Sequence, residues 1–150
     1  MSAAAQTPAE ALHHEAARLG TILFTVSVLD PAAGVSRRAY TSHPVEYPAQ
    51  GTKPMEHDAW FAHCIAGRRT FVANTPEGFR AHFFDHALIE SMGLGSAVNI
   101  PLAAAPDAPV TATVNLLAGP GHFTPPKLAA YHALVEAHRA ALLASLPRLV

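Results

Sequence analysis

The period of apolar and polar positions changes along the chain and divides it into helices and strands. After Thr7 as N-cap and Pro8 as first helical residue, apolar residues at helical spacing predict a helix that ends at Gly20. Residues 21–29 alternate at period two, which predicts a strand, and residues 35–42 are predicted to pair with it as a hairpin. Thr124 and Pro125 introduce an apolar stripe that predicts a long closing helix.

The middle of the chain is less regular than its two ends. Residues 43–55 hold three prolines and a glycine, so we expect an irregular connection there. A short helix over 59–66, a short strand over 70–73 and a helical segment in two pieces over 77–92 are predicted next. Strands over 96–102 and 110–117 then precede the closing helix. We therefore expect an α+β fold in which residues 1–150 form a single domain.

Three of the predicted strands share the same division between an apolar and a polar face. The apolar positions are Phe24, Val26, Val28, Val98, Ile100, Val114 and Leu116. The polar positions are Thr25, Ser27, Asn99, Thr111, Thr113 and Asn115. We expect the two terminal helices to cover the apolar face and the middle segments to cover the polar one. The covered hydroxyls and amides then bind either a polar small molecule in a pocket or neighbouring loops and ordered water.

Composition and charge exclude several classes of protein. Only 14% of the residues are charged, against a typical value of about 25%, and the formal net charge is −1. The chain thus lacks the positively charged surface that would attract nucleic acids or anionic membranes, and we expect neither partner. Its one cysteine, Cys64, excludes internal disulfides and every CxxC motif. Because no apolar run is long enough to span a membrane and no signal-peptide pattern occurs, we expect a soluble, cytoplasmic protein.

Ten histidines raise the question of metal binding or acid–base chemistry. The candidates for a metal site are His57, His63, His82 and His86, and the last two share a helix face at i, i+4. No HExxH or similar pattern accompanies them, so we expect no metal and no cofactor.

Two groups of residues are candidates for catalysis. Asp85 and His86 are adjacent, and a carboxylate near an imidazole is the arrangement of a general base. Neighbouring helical residues point about 100° apart, so each needs a further partner. Cys64 is the other candidate, as a thiolate activated by a histidine such as His57, His63 or His86. The alternative for Cys64 is an inert, buried side chain.

Several residues are candidates for ligand binding. They are Arg38, Tyr40, Tyr47, Lys53, Trp60, Asp85, His86, Ser96, Asn99 and Asn115. One of Arg37 and Arg38 must face each side of its strand, and the sequence leaves open which one faces the pocket. That guanidinium is suited to clamp a carboxylate or phosphate. The rings of Tyr40, Tyr47 and Trp60 would supply flat pocket walls.

The order helix, hairpin, irregular middle, two strands and helix resembles a GAF domain. MGLGSAVNIPL at 92–102 and HFTPPKLAAYHALVEAHRAALL at 122–143 carry the resemblance, which extends from about Thr7 to Leu146. It implies a central antiparallel sheet of five or six strands, with terminal helices on one face, often at a dimer interface, and a ligand cavity on the other. The NKFDE pattern of cyclic-nucleotide members is absent. The order His63-Cys64 is the reverse of that at bilin attachment sites.

These observations favour a GAF-like sensor or binding domain for a polar or anionic organic ligand. We expect a homodimer through the terminal helices, with a signalling output protein in trans. The alternative is a small cofactor-independent enzyme, a hydrolase or isomerase, that uses the same pocket. A third alternative is a partner-binding domain whose pocket stays empty.

Overall fold

A six-stranded antiparallel sheet forms the centre of the computed structural model, which describes residues 6–147 and 149. Its strands are β1 (Leu23–Asp30), β2 (Val35–Thr41), β3 (Thr52–Pro54), β4 (Phe71–Ala73), β5 (Ser96–Ala103) and β6 (Val110–Ala118). Their order across the sheet is β3-β2-β1-β6-β5-β4, so the strands from the two ends of the chain meet in the middle. The predicted α+β class and antiparallel sheet are confirmed.

Five α-helices accompany the sheet within the described residues. They are α1 (Pro8–Arg18), α2 (Ala59–Phe61), α3 (Pro76–Arg80), α4 (His86–Ser91) and α5 (Pro125–Ser145). The short helix predicted over 59–66 continues beyond α2 as a π-helical turn, Ala62–Ala66. Thr7 caps α1 through its hydroxyl, which accepts a hydrogen bond from the Glu10 amide at 3.2 Å. Among the described helices, none combines the length and apolar character required to cross a membrane.

The main core lies between the sheet and the two terminal helices, as the apolar strand positions predict. Leu12 of α1 and Tyr131 and Leu142 of α5 are fully buried there. They pack with the apolar face of the sheet, which contributes Phe24, Val26, Val98, Ile100, Val114 and Leu116. Each large apolar side chain buried in this way contributes about 1.5–3 kcal/mol relative to an exposed one. The opposite face of the sheet is therefore left to the middle segments of the chain.

Part of the segment expected to be irregular forms an additional strand. Residues Thr52–Pro54 pair with β2 as β3, at the edge of the sheet. Proline is tolerated at an edge because its missing N–H takes no hydrogen bond away from a neighbouring strand. The pairing sets Lys53 opposite Ser36, and both side chains face the middle segments.

A β-bulge in the hairpin decides which arginine faces the middle segments. Val26 pairs with Tyr40, but the next residue, Ser27, pairs with Arg38, so Ala39 is the extra residue of β2. The register shift places Arg38 on the polar face and Tyr40 on the helix-covered face. Arg37 points away from the polar face and forms an ion pair with Asp30 at 3.2 Å. The sequence had left this choice open.

Candidate functional site

A cavity of about 330 Å³ lies on the polar face of the sheet. Its floor comes from β1, β5 and β6, and one side comes from β2 and β3. The segment around α2 and the residues just before α4 form its cover. The volume is within the range of small-molecule sites, about 300–1,000 Å³.

The floor of the cavity is a continuous row of hydrogen-bonded polar side chains. Asn99 of β5, Asn115 of β6 and Thr25 of β1 are in register across three neighbouring strands. The Asn99 amide nitrogen donates to Asn115 Oδ1 at 2.8 Å. The Asn115 amide nitrogen donates to the hydroxyls of Thr25 at 3.1 Å and Ser27 at 3.2 Å. At the other end of the row, Trp60 Nε1 donates to Asn99 Oδ1 at 2.9 Å.

Lys53 carries its ammonium group into a cluster of aromatic rings. Its Nζ lies 5.0 Å from the ring centroid of Phe83, 5.6 Å from that of Phe84 and 5.9 Å from that of Trp60. Cation–π attraction to these rings stabilises the charged form. Burial nevertheless lowers the pKa of Lys53, and the negative charge of Asp85 opposes that shift. The result is a partly desolvated cation at the side of the cavity.

Arg38, Tyr47 and Asp85 form a second charged group, which joins two covering segments. The Tyr47 hydroxyl donates to Asp85 Oδ2 at 2.6 Å. Burial and this hydrogen bond raise the pKa of Tyr47, so the phenol stays protonated. The Arg38 guanidinium lies over the Tyr47 ring at 5.0 Å and donates to the carbonyl of Pro48 at 2.8 Å. These contacts fix the loop after β2 against the residues that precede α4.

Most of the residues predicted to bind a ligand line this cavity. They are Arg38, Tyr47, Lys53, Trp60, Asp85, Asn99 and Asn115. Tyr40, His86 and Ser96 do not line it. Tyr40 is turned to the other face by the bulge in β2, where its hydroxyl lies 2.7 Å from His13 Nδ1.

His86 and Ser96 lie outside the cavity for local reasons. His86 begins α4, and its side chain turns along the helix, with Nδ1 at 3.2 Å from Glu90 Oε2. Ser96 lies on the same side of β5 as Val98, which packs against the terminal helices. Its buried hydroxyl donates to the carbonyl of Gly119 at 2.7 Å. The alternation along β5 thus directs Ser96 away from Asn99.

The structure keeps the predicted catalytic residues apart. Asp85 receives its hydrogen bond from Tyr47, while the imidazole of His86 meets Glu90. Cys64 is fully buried, and burial raises the pKa of its thiol to about 12. Its Sγ lies 3.7 Å from the carbonyl oxygen of Asn99. The thiol is therefore protonated at neutral pH, which is the unreactive form.

The histidines considered as partners for Cys64 are engaged elsewhere. His63 Nε2 lies 2.9 Å from the carbonyl oxygen of Thr70, and the His57 ring stacks on Phe61 with centroids 4.1 Å apart. Among residues 6–147 and 149, no three His, Cys, Asp or Glu side chains come together as a metal site would require.

Some cavity residues were not among the predicted binding residues. Thr25 and Ser27 were assigned to the polar face but not to the site, and Ser36 was not considered. Strand alternation could have identified all three. Thr25 and Ser27 lie on the polar side of β1, and Ser36 lies two residues before Arg38, on the same side of β2. Phe83 and Phe84, next to Asp85 in the sequence, were not among the predicted binding residues either, and both line the cavity. Their role depends on the path of the chain between α3 and α4.

Known protein structures establish the fold. No protein-family model and no curated protein sequence matches the chain. A GAF domain/HD domain protein from Geobacter sulfurreducens matches with a TM-score of 0.71 and 12% identity, over 91% of this chain and 90% of that one. The second GAF domain of DevS from Mycobacterium smegmatis matches with a TM-score of 0.61 and 22% identity, over 92% and 93%. The GAF domain of a two-component sensor histidine kinase from Bacillus halodurans matches with a TM-score of 0.66 and 13% identity, over 89% and 90%.

The chain therefore has a GAF-like fold, as the resemblance in its sequence predicted. The similarity covers about nine-tenths of the chain.

Proposed function

We propose that the chain is a sensory domain that binds a polar or anionic organic molecule in the cavity on the polar face of its sheet. The observation that carries the proposal is the floor of this cavity, where Asn99, Asn115 and Thr25 form one hydrogen-bonded row. A core needs no such row, because apolar side chains fill buried space without the desolvation cost of amides. A binding site needs it to orient a polar ligand.

The walls support a ligand that also has an apolar part. Trp60, Phe83 and Ile65 face the floor from the covering segments, and Arg38 and Lys53 supply positive charge from the side. Such a combination of flat apolar walls with a few directed polar groups is typical of small-molecule sites. These two cationic groups favour an anionic substituent over a neutral one.

The sensory part of the proposal draws on proteins of the same fold. The matching structures include a domain of a sensor histidine kinase and a segment of a methyl-accepting chemotaxis protein. Both names describe proteins of signal transduction. We propose the same use here, with an output protein in trans that responds to the occupied cavity.

A ligand screen that uses the single tryptophan as reporter tests the binding function. Trp60 lines the cavity and is the only tryptophan in the chain, so an occupied cavity is expected to change its fluorescence. Compounds from a metabolite panel that raise Tm are then titrated by fluorescence. A ligand at 100 times its Kd is expected to stabilise the fold by about 2.7 kcal/mol.

A blocked cavity provides the control for this screen. Ser36→Phe places a ring into the cavity from β2 and is expected to abolish binding. Val35→Phe places the same ring on the other side of the same strand and is expected to leave binding intact. If no compound in the panel shifts Tm or fluorescence, or if Ser36→Phe binds as the wild type does, the proposed site is wrong.

Product analysis separates binding from turnover. Under the sensory function, the bound compound is recovered unchanged after prolonged incubation with the protein. The enzyme alternative requires a product, and its formation would have to depend on Asp85, His86 or Cys64. Asp85→Asn, His86→Ala and Cys64→Ser, tested separately, would identify which of them acts.

A further inference from the structure

The hydrogen bonds of the cavity floor have a fixed direction, which Trp60 determines. An indole nitrogen donates and never accepts, so the Asn99 atom that faces Trp60 must be the amide oxygen. The Asn99 amide nitrogen then points to Asn115, which must present its own oxygen. The Asn115 nitrogen in turn donates to the hydroxyl oxygens of Thr25 and Ser27. One donor at the end of the row thus orients both amides.

This direction leaves the hydroxyl hydrogens of the floor free and gives each amide oxygen of the row one partner within the protein. Both amide oxygens of the row receive a hydrogen bond within the protein. Thr25 and Ser27 each accept from Asn115, and their hydroxyl hydrogens remain available to the cavity. Among the described residues, neither hydroxyl has an acceptor at hydrogen-bonding distance. Their free hydrogens therefore favour a ligand group that accepts hydrogen bonds.

The neighbouring strands add cationic donors to the two hydroxyls. Ser27 is paired with Arg38 of β2, and Ser36, two residues before Arg38, is paired with Lys53 of β3. Hydroxyl, guanidinium and ammonium groups thus face the cavity from three adjacent strands. Within the described part of the chain, the Lys53 ammonium has no hydrogen bond or ion pair and is surrounded by aromatic rings.

Two of the carboxylates that border the cavity are already engaged with the protein. Asp85 Oδ2 accepts from Tyr47 at 2.6 Å, and Asp58 Oδ1 accepts from the Phe61 amide at 2.9 Å, where it caps α2. Glu56, the third, is exposed to solvent. Beside these carboxylates, the hydroxyl and cationic groups of β1, β2 and β3 supply the donors that a ligand acceptor can meet.

We infer that the ligand is an organic carboxylate, with its oxygens bound by Thr25, Ser27, Arg38 and Lys53 and its apolar body against Trp60. This inference rests on the proposed binding function and names the chemical class of the ligand. Trp60 acts as a positioning residue for selectivity, because it directs the floor to present donors. A carboxamide would bring one donor group against this set, and an amine would bring only donors.

Matched ligand series test the inference directly. Benzoate, phenylacetate and hexanoate are titrated calorimetrically, each beside its carboxamide and the amine of the same skeleton. Each carboxylate that binds is expected to do so at least about tenfold more tightly than its carboxamide, because charge-assisted hydrogen bonds are the stronger ones. Equal or tighter binding of the carboxamides or amines overturns the inference, and so does the absence of binding by all three carboxylates.

Cavity variants assign the selectivity to the named residues. Arg38→Gln and Lys53→Met are each expected to weaken carboxylate binding about tenfold and to leave carboxamide binding nearly unchanged. Arg37→Gln, one residue away on the other face, is expected to change neither affinity. Arg38→Lys, which keeps the charge, serves as a second variant if Arg38→Gln is poorly folded. Carboxylate affinity that survives both Arg38→Gln and Lys53→Met overturns the assignment.

The role of Trp60 has its own readout. Trp60→Phe keeps a ring at this position but removes the N–H, so the Asn99 amide is free to turn over. The ratio of carboxylate to carboxamide affinity is then expected to fall towards one, and an unchanged ratio contradicts the positioning role.

The metabolite screen distinguishes a wrong ligand class from a wrong binding function. If uncharged or cationic compounds occupy the cavity and carboxylates do not, the ligand class is wrong while the binding function stands.

Discussion

The indole nitrogen of Trp60 lies 2.9 Å from Oδ1 of Asn99, and this hydrogen bond joins the cover of the cavity to its floor. Trp60 belongs to α2, a helix of three residues, which has little stability of its own. Asn99 lies in β5, between β4 and β6 in the sheet, and is buried. A polar contact thus fixes a short covering helix to a strand that is paired on both sides.

Loss of this hydrogen bond is expected to destabilise the fold measurably. Trp60→Phe leaves the Asn99 amide oxygen without its partner, and the free energy of unfolding is expected to fall by about 1 kcal/mol. Because Trp60 is the only tryptophan, urea unfolding is followed by circular dichroism. In a double-mutant cycle with Asn99→Ala, the effect of Trp60→Phe should largely disappear. Full additivity of the two substitutions would contradict the coupling.

Tyr47 is expected to make stability depend on alkaline pH. Its pKa is raised by burial and by the hydrogen bond to Asp85, so the folded state retains a proton that the unfolded chain loses near pH ~10. The stabilisation is complete below that pH and decreases as the pH rises through it. Urea midpoints from about pH 9 to about pH 11 should therefore fall more steeply for the wild type than for Tyr47→Phe. Parallel slopes would show that Tyr47 does not contribute.

Cys64 is expected to be unreactive in the folded protein. Its thiol is fully buried, and its pKa of about 12 leaves almost no thiolate at neutral pH. A thiol reagent such as 5,5′-dithiobis(2-nitrobenzoate) should label it only as fast as the chain opens, and at once in denaturant. Rapid labelling of the native protein would instead support the nucleophile considered from the sequence.

Helix ends and strand alternation account for the part of the fold that the sequence predicts. Thr7 and Thr124 mark helix starts because capping residues act locally, and period two in β1 separates Phe24 and Val26 from Thr25. β3 was missed because Pro54 argues against a strand, and only the position at the edge of the sheet makes it acceptable. Such a position depends on tertiary pairing, which no local pattern contains.

In the candidate site, too, local patterns place some residues and only tertiary contacts place others. Asn99 and Asn115 were identified because alternation alone puts them on the polar face. Tyr40 was misplaced because the bulge at Ala39 interrupts that alternation, and a bulge has no reliable local signal here. The contact between Tyr47 and Asp85 joins two loops far apart in sequence, so only the folded chain reveals it.

His13 is expected to make stability depend on acidic pH. Burial lowers its pKa, and the nearby His14 and His43 lower it further. The unfolded chain therefore takes up a proton more readily, and stability is lost as the pH falls below the ordinary value of about 6.5. Between about pH 8 and about pH 5.5, Tm should fall less for His13→Gln than for the wild type. An equal fall in both proteins would assign the effect to other groups.

The exposed side of α5 provides the test of the proposed dimer. Ala133 and Ala137 are exposed there, one helical turn apart, and small apolar residues allow a second helix to approach closely. We expect light scattering to give a dimer for the wild type and a monomer for Ala137→Glu, since the substitution buries a charge at the interface. Ala32→Glu, in the exposed turn between β1 and β2, should remain dimeric. A monomeric wild type, or a dimer that survives Ala133→Glu and Ala137→Glu together, would exclude this face as the interface.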